Sequence, residues 1–204
     1  KPASWEEAFQ AIAARLDGVS GDRIGAIAGD LAGAEEMMAL KDLMNALGSG
    51  NVDCRQDGGR VGGGARGDYL FNSTIAGIED ADAILLVGTN PRKEASVLNA
   101  RIRKAWMQSA GALKIGVIGE QADLTYPYEY LGAGPQTLTE LAGGGLGFAE
   151  ALKGAERPMI ILGAGAVARE DGLAIHAAAR RVADMAGAVT DDWNGFNMLH
   201  NAAS

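Results

Sequence analysis

The chain has 204 residues, of which 48% are hydrophobic and 22% are charged, and its formal net charge is −8 at pH 7. This size and composition are typical of a globular protein with a real core and exclude a disordered chain. The negative charge argues against a nucleic-acid partner, and no apolar run is long enough to insert directly into a membrane.

Few residues in the chain are suited to catalysis or metal binding. Cys54 is the single cysteine, and His176 and His200 are the only histidines. One cysteine cannot hold zinc or an iron–sulfur cluster by itself. No serine or cysteine has a histidine and an acid in a pattern that favours nucleophilic catalysis. We therefore expect no catalytic residues and no metal ligands.

The amino-terminal part predicts two helices with a short strand between them. Ser4 and Glu7 have the spacing of a capping box, and apolar residues continue at helical spacing to Leu16. A strand is expected over residues 23–28, and a second amphipathic helix is expected to end at Gly48. The chain begins with lysine rather than methionine, which we interpret as a fragment of a longer polypeptide.

A glycine-rich stretch follows at residues 51–68. It contains six glycines together with Arg55, Arg60 and Arg66. One interpretation is an anion cradle made of backbone N–H groups and arginines, and the other is a long loop. We favour the loop, because no Gly-Lys-Ser/Thr sequence follows the glycines.

Residues Ala83–Val87 predict the central strand of the fold. Their unbroken apolar run is typical of a strand that is covered on both faces in a parallel sheet. Gly88, Thr89 and Asn90 end the strand, and Pro91 suits the first turn of a helix. Open α/β sheets bind ligands at the carboxyl ends of such strands. We therefore predict a ligand-shaped crevice at Gly88, Thr89 and Asn90.

The following elements predict the fold class. A helix is expected from Pro91 to about Trp106, and further buried strands are expected at 113–118 and 159–162. The alternation of strands and helices favours right-handed crossovers and parallel pairing. The sequence therefore predicts an α/β fold with a doubly wound, mostly parallel sheet.

Residues 123–135 are expected to be irregular, and a short helix is expected over residues 148–153. The tyrosines at residues 126, 128 and 130 are expected to plug the edge of the core rather than stack on a ligand. Three consecutive glycines at 143–145 predict a boundary between two sub-lobes, 1–142 and 146–204.

A dinucleotide-type motif lies between Gly163 and Ala168. The sequence Gly-Ala-Gly-Ala-Val-Ala follows a strand and precedes a helix expected to begin near Glu170, and Asp191 could contact a ribose. However, Asp191 lies further along the chain than the roughly twenty residues expected. Acids in the first turn of the helix would also compete with a phosphate. We favour close packing for these glycines, with a dinucleotide-binding module as an alternative.

Several short stretches carry a family resemblance. They are residues 5–8, 48–53, 77–82, 86–92, 99–104, 123–126, 192–193 and 198–200. Together they resemble the molybdopterin oxidoreductases, and among these the large iron–sulfur subunits of respiratory complex I, the NADH:quinone oxidoreductase. The likeness extends over essentially the whole chain, residues 1–204.

The resemblance implies a Rossmann-like fold that has lost its cofactor. In the family, Gly-x-Asn-Pro borders the pterin nucleotide, which makes Gly88, Thr89 and Asn90 a vestigial crevice. Cys54 comes too early for the metal ligand of the family, and Gly119 begins Gly-Glu-Gln where metal enzymes have Asp-Pro-Arg. The resemblance therefore implies no cofactor and no metal in this chain. The alternative is a fragment of an active molybdopterin-dependent oxidoreductase.

The resemblance also implies a cellular context. It implies a non-catalytic scaffold in the peripheral arm of complex I, on the cytoplasmic or matrix side of the inner membrane. The implied partners are other subunits of that arm, and 2Fe–2S and 4Fe–4S clusters are implied upstream of these residues. The chain would then belong to an oxidoreductase without itself having catalytic activity.

Overall fold

A computed structural model describes residues 2–29, 31–54, 58–61 and 64–200. They form two compact units, one from the described residues up to Cys54 and the other from Gly58 onward. No helix within the described ranges is long and apolar enough to cross a membrane.

The first unit contains one parallel strand–helix–strand element. Its helices and strands are α1 (Trp5–Leu16), β1 (Ala26–Ile27), α2 (Ala34–Ala46) and β2 (Val52–Asp53). The predicted capping box of α1 is confirmed: the backbone N–H of Glu7 donates to Ser4 Oγ at 3.2 Å, and the N–H of Ser4 donates to Glu7 Oε2 at 2.9 Å. β1 and β2 pair in parallel, and α2 connects them in the sequence.

The second unit contains a five-stranded sheet with helices between its strands. Its elements are α3 (Thr74–Gly77), β3 (Ala83–Val87), α4 (Pro91–Glu94), α5 (Ser96–Gln108), β4 (Lys114–Ile118), β5 (Glu129–Gly132), α6 (Pro135–Ala142), α7 (Phe148–Lys153), β6 (Pro158–Gly163), α8 (Ala164–Val167), α9 (Gly172–Ala186) and β7 (Phe196–Leu199). The strand order is β5-β4-β3-β6-β7, and every neighbouring pair is parallel. The predicted α/β fold class is confirmed.

The central strand lies where the sequence predicted it. All five residues of β3 are at most 3% exposed, and β4 and β6 pair with it along its full length. Leu85 belongs to a core cluster with residues of α6, α7 and α9, whereas Ile84 and Leu86 belong to a second cluster with residues of α5. Successive side chains of the strand point to opposite faces of the sheet, and each face packs in a separate hydrophobic cluster.

Three predicted elements differ from the structure. The strand expected over residues 23–28 is confined to Ala26–Ile27. The helix expected from Pro91 to about Trp106 is interrupted at Ala95, which has φ −150° and ψ 71°. The carbonyl of Ala95 then accepts from the N–H of Asn99 at 2.9 Å and begins α5. Part of the region expected to be irregular is a strand, β5, which is defined by its pairing with β4 rather than by an apolar run.

The sub-lobe boundary at glycines 143–145 stays a prediction. The three glycines follow the end of α6, and all three of their N–H groups donate to carbonyls of its last turn. β3 and β6 lie on either side of them in the sequence and pair in one sheet.

Candidate functional site

The carboxyl ends of β3, β4 and β6 meet at three glycines. Gly88 follows β3 with φ +57°, Gly119 follows β4, and Gly163 ends β6. The N–H of Gly88 donates to the carbonyl of Ile118 at 2.8 Å. A Cβ on Gly88 would lie 2.6 Å from Cβ of Ala166, and a Cβ on Gly163 would overlap the carbonyl oxygen of Gly88. Atoms of Ala166 and of Gly163 therefore pack directly against Gly88 at the end of β3.

Thr89 and Asn90 direct their hydrogen bonds toward one carboxylate of the same chain. Oγ1 of Thr89 donates to Glu94 Oε2 at 2.8 Å, and the N–H of Asn90 donates to Glu94 Oε1 at 2.7 Å. Oδ1 of Asn90 is buried and accepts no hydrogen bond from any described residue. The hydroxyl of Thr89 and the N–H of Asn90 are thus bound to Glu94 of the same chain.

A cavity of about 210 Å³ opens beside the strand ends. Its walls come from the ends of β3 and β4, the start of α6 and the residues after β6. Arg169 is the charged side chain among its described lining residues. The guanidinium of Arg169 donates twice to Asp171, at 2.7 and 3.0 Å, and these hydrogen bonds lower the pKa of the Asp171 carboxyl. The cation on the cavity wall is therefore already paired.

Arg92, next to the crevice, is also paired. Its Nη1 donates to the carbonyl of Asp123 at 3.0 Å and to the Asp123 carboxylate at 2.5 Å. The carboxylate also accepts from the N–H of Thr125 at 2.9 Å, and this backbone bond, followed by Arg92, holds the pKa of Asp123 below its usual range. The residues after β4 are thus attached to α4.

The same loop is fixed to α5 by a buried side chain. The amide of Asn99 donates to the carbonyl of Leu124 at 3.1 Å, and Oδ1 of Asn99 accepts from the hydroxyl of Tyr126 at 2.9 Å. Tyr126 is 6% exposed, and burial raises the pKa of its hydroxyl. The hydroxyl of Tyr128 donates to the carbonyl of Ala122 at 2.8 Å. These two tyrosines pack at the edge of the core, as expected from the sequence, whereas Tyr130 is 37% exposed.

Residues 58–61 of the glycine-rich stretch pack as a loop, whereas residues 52–53 form β2. The N–H of Arg60 donates to the carbonyl of Val167 at 2.9 Å, and its guanidinium donates to the carbonyl of Glu170 at 3.0 Å. Arg60 thus binds carbonyl groups of the chain rather than facing an open anion cradle. Arg55 and two of the glycines lie outside the described residues.

The two histidines bind backbone carbonyls. Nε2 of His176 lies 2.8 Å from the carbonyl oxygen of Asp68, and its ring meets the ring of Phe196 edge-on. Nε2 of His200 lies 2.8 Å from the carbonyl oxygen of Tyr69. His176 is therefore a packed histidine, as expected, and both imidazoles help to hold the segment before α3.

The motif between Gly163 and Ala168 has an unexpected geometry. Gly163 is still part of β6, and the next four residues form the short helix α8. The long helix α9 begins only at Gly172, where a Cβ would overlap the carbonyl oxygen of Val167. A dinucleotide fingerprint leads directly into the amino end of a long helix. Here a separate helical turn intervenes, and the first glycine serves close packing.

No group of three histidine, cysteine or acidic side chains suited to metal binding occurs in the residues that the structure describes. Cys54 is an exposed free thiol. The site is thus defined by strand ends and a cavity rather than by a set of reactive side chains.

A parallel sheet whose strand order reverses beside a cavity defines the class of Rossmann-like α/β domains. The model of the molybdopterin oxidoreductase family matches residues 1–204, and the chain belongs to this family. The family resemblance predicted from the sequence is confirmed.

Similar proteins from plants, bacteria and fungi carry related names. The chain is 44% identical over 196 residues to NADH dehydrogenase (ubiquinone) iron-sulfur protein 1 of Solanum tuberosum, covering 96% of this chain and 26% of that protein. It is 44% identical over 202 residues to a subunit of the NADH-quinone oxidoreductase of Rickettsia bellii, and the alignment covers 99% of this chain and 29% of that protein. It is 42% identical over 212 residues to the 78 kDa subunit of the NADH-ubiquinone oxidoreductase of Neurospora crassa, and the alignment covers 100% of this chain and 28% of that protein. The chain therefore spans less than a third of the length of these relatives.

A solved structure shares the fold. The formyltransferase/hydrolase complex FhcABCD from Methylorubrum extorquens, in complex with methylofuran, aligns with a TM-score of 0.59 and 18% identity. The alignment covers 97% of this chain and 58% of that chain. At this identity the likeness shows the fold alone.

Proposed function

We propose that residues 1–204 form a non-catalytic scaffold region in the large iron–sulfur subunit of an NADH:quinone oxidoreductase, and that this region has lost the molybdopterin cofactor. The observation that carries the proposal is the carboxylate of Glu94, which occupies the hydrogen-bond donors of Thr89 and Asn90. The names of the relatives support the assignment to this subunit.

Several contacts among the described residues argue against a bound molybdopterin nucleotide. Its phosphates need free donors and cations. Near the strand ends, Arg92 is paired with Asp123 and Arg169 is paired with Asp171. Glu94 would place a negative charge beside the phosphates. Repulsion between the Glu94 carboxylate and the phosphates would disfavour binding of the cofactor at Gly88, Thr89 and Asn90, where the family resemblance implies that the cofactor binds.

The way in which the loops are held supports the scaffold role. Hydrogen bonds fix residues 122–126 to α4, to α5 and to Tyr128. A sheet with such fixed loops presents a constant surface to neighbouring subunits. By this proposal the neighbours are other subunits of the peripheral arm, on the cytoplasmic or matrix side of the inner membrane. The 2Fe–2S and 4Fe–4S clusters that carry electrons lie upstream of these residues.

Substitution of Thr89 by alanine in the full-length subunit tests the proposal. It removes one hydrogen bond to Glu94, and we expect the rate of quinone reduction per assembled complex to change by less than about twofold, where tenfold corresponds to about 1.4 kcal/mol. The matched control is Thr139→Ala on α6, where an exposed hydroxyl donates to the carbonyl of Pro135 at 3.2 Å. A loss of more than about tenfold in fully assembled Thr89→Ala complex, with Thr139→Ala unaffected, would favour an active site at the crevice.

A dinucleotide-binding module is the second candidate function. It is favoured by Gly165, which lines the cavity and where an added Cβ would meet nothing within 4 Å. The ion pair between Arg169 and Asp171 opposes it, because a bound pyrophosphate would have to compete with the Asp171 carboxylate.

We expect no binding of NAD(H) to this region in calorimetric titration at about 1 mM ligand, where even a weak complex of about −4 kcal/mol would be detected. A dissociation constant near about 10 µM that is abolished by Gly165→Val would promote the dinucleotide module over the scaffold. Weak binding that Gly165→Val leaves unchanged would not come from this motif.

A further inference from the structure

Helix α5 buries one face and leaves the opposite face bare. Leu98, Ile102 and Ala105 are at most 5% exposed and face the core, whereas Val97 is 68% exposed and Met107 is 58% exposed. In a helix of 13 residues, this is a clear division into an inner and an outer face.

The outer face has the spacing of a helix-packing seam. Val97, Ala100, Lys104 and Met107 are exposed and follow one another in steps of three, four and three residues. This is the a/d spacing of a coiled coil, in which side chains of one helix fit between those of another. The seam extends for about 15 Å along the helix axis, which suits a partner helix of about three turns.

Basic side chains flank this seam. Arg101 and Arg103 stand at the positions next to it, and Lys104 lies within it. α5 itself carries three cations and no acid, in a chain whose net charge is −8. The outer face of α5 is therefore opposite in charge to the chain as a whole.

The positive charge of this face is only partly neutralised within the chain. Glu79 binds Lys104 at 2.7 Å and also binds Arg101, and these two bonds lower the pKa of its carboxyl. One carboxylate thus serves two cations. Arg103 has no ion-pair partner among the residues that the structure describes. A partner that brings carboxylates would complete the charge balance.

We propose that the outer face of α5 docks an acidic amphipathic helix from another subunit of the assembled enzyme. The exposed stripe of Val97, Ala100, Lys104 and Met107 can accept a helix laid along it, and the flanking arginines favour Asp and Glu at the facing positions. A second copy of this chain would bring the same positive face against this one, and such like-charge pairing is repulsive. The inference rests on the proposed function in so far as it requires assembly with other subunits.

The test uses the full-length subunit in the assembled enzyme. A photo-crosslinking residue replaces Val97 or Met107, and the matched control carries it at Leu173, which is 55% exposed on α9. We expect the positions at Val97 and Met107 to cross-link to the same helix of another subunit, one with an excess of Asp and Glu, and the position at Leu173 not to reach that helix. Cross-links within the same subunit, to a second copy, to a segment without an acidic excess, or to nothing would each overturn the inference.

A charge substitution separates electrostatic docking from mere proximity. Arg103→Glu is expected to reduce the cross-link at Val97 by about tenfold or more, because like charges would then face each other across the seam. Arg103→Lys is expected to keep the cross-link, as is Arg181→Glu on the exposed face of α9. An unchanged yield with Arg103→Glu would contradict the inference. If the wild-type subunit entered no complex with other subunits, the proposed function itself would fail; if it entered one without the cross-link, only the docking inference would fail.

Discussion

Leu85→Ala is expected to lower the free energy of unfolding by about 2–5 kcal/mol, as truncation of a buried leucine does. Leu85 is fully buried at the centre of β3, between Gly116 of β4 and Ile160 of β6. Removing its side chain leaves a cavity between the sheet and the helices of one core cluster. Hydrogen–deuterium exchange of the β3 amides in increasing denaturant measures this loss.

The matched control for Leu85→Ala is Val97→Ala on the exposed face of α5. Because Val97 is 68% exposed, its truncation is expected to change stability by less than about 0.5 kcal/mol in the isolated subunit. A loss below about 0.5 kcal/mol for Leu85→Ala would show that β3 is not the central buried strand.

Gly163→Ala is expected to destabilise the fold by about 1–3 kcal/mol or more, as overpacking of a close contact does. A Cβ at this position would overlap the carbonyl oxygen of Gly88 and lie 2.7 Å from Cβ of Thr89. Backbone atoms on both strands would have to move apart. The close approach of Gly88 and Thr89 to the end of β6 therefore depends on glycine at residue 163.

Gly165→Ala is the matched control for Gly163→Ala, because it adds the same methyl group two residues away. A Cβ at Gly165 would meet nothing within 4 Å, and alanine is the better helix former in α8. We expect its effect on the denaturation midpoint to be neutral or slightly stabilising. Equal destabilisation by both substitutions would contradict the packing role of Gly163.

The central strand could be predicted to the residue because its signal is local. Ala83–Val87 is an unbroken apolar run between Asp82 and Gly88, and burial on both faces requires such a run. The break at Ala95 could not be predicted in this way. It accompanies the Glu94 side chain reaching back to Thr89 and Asn90, which has no signature in the apolar periodicity. β5 was missed because two of its four residues are exposed and its pairing with β4 defines it.

The position of the candidate site could be predicted, but the contacts that its residues make with the rest of the chain could not. Parallel topology places Gly88, Thr89 and Asn90 at the carboxyl edge of the sheet, where the structure has them. The closeness of Ala166 to Gly88 depends on how α8 turns after β6, and the pairing of Arg92 with Asp123 joins residues 31 positions apart. Such contacts depend on the three-dimensional arrangement and cannot be read from spacing. The role of these residues as a vestigial crevice stays a prediction.

The loss of the molybdopterin cofactor is tested most directly by the molybdenum and pterin content of the full-length subunit, purified in the assembled enzyme. Molybdenum is measured by plasma mass spectrometry, and pterin is measured by fluorescence after oxidative release. If Glu94, Asp123 and Asp171 compete with the cofactor for these donors and cations, as we propose, both contents are expected to stay at background. Stoichiometric molybdenum with released pterin, lost when Gly88 is replaced by valine in a subunit that still assembles, would contradict the scaffold role.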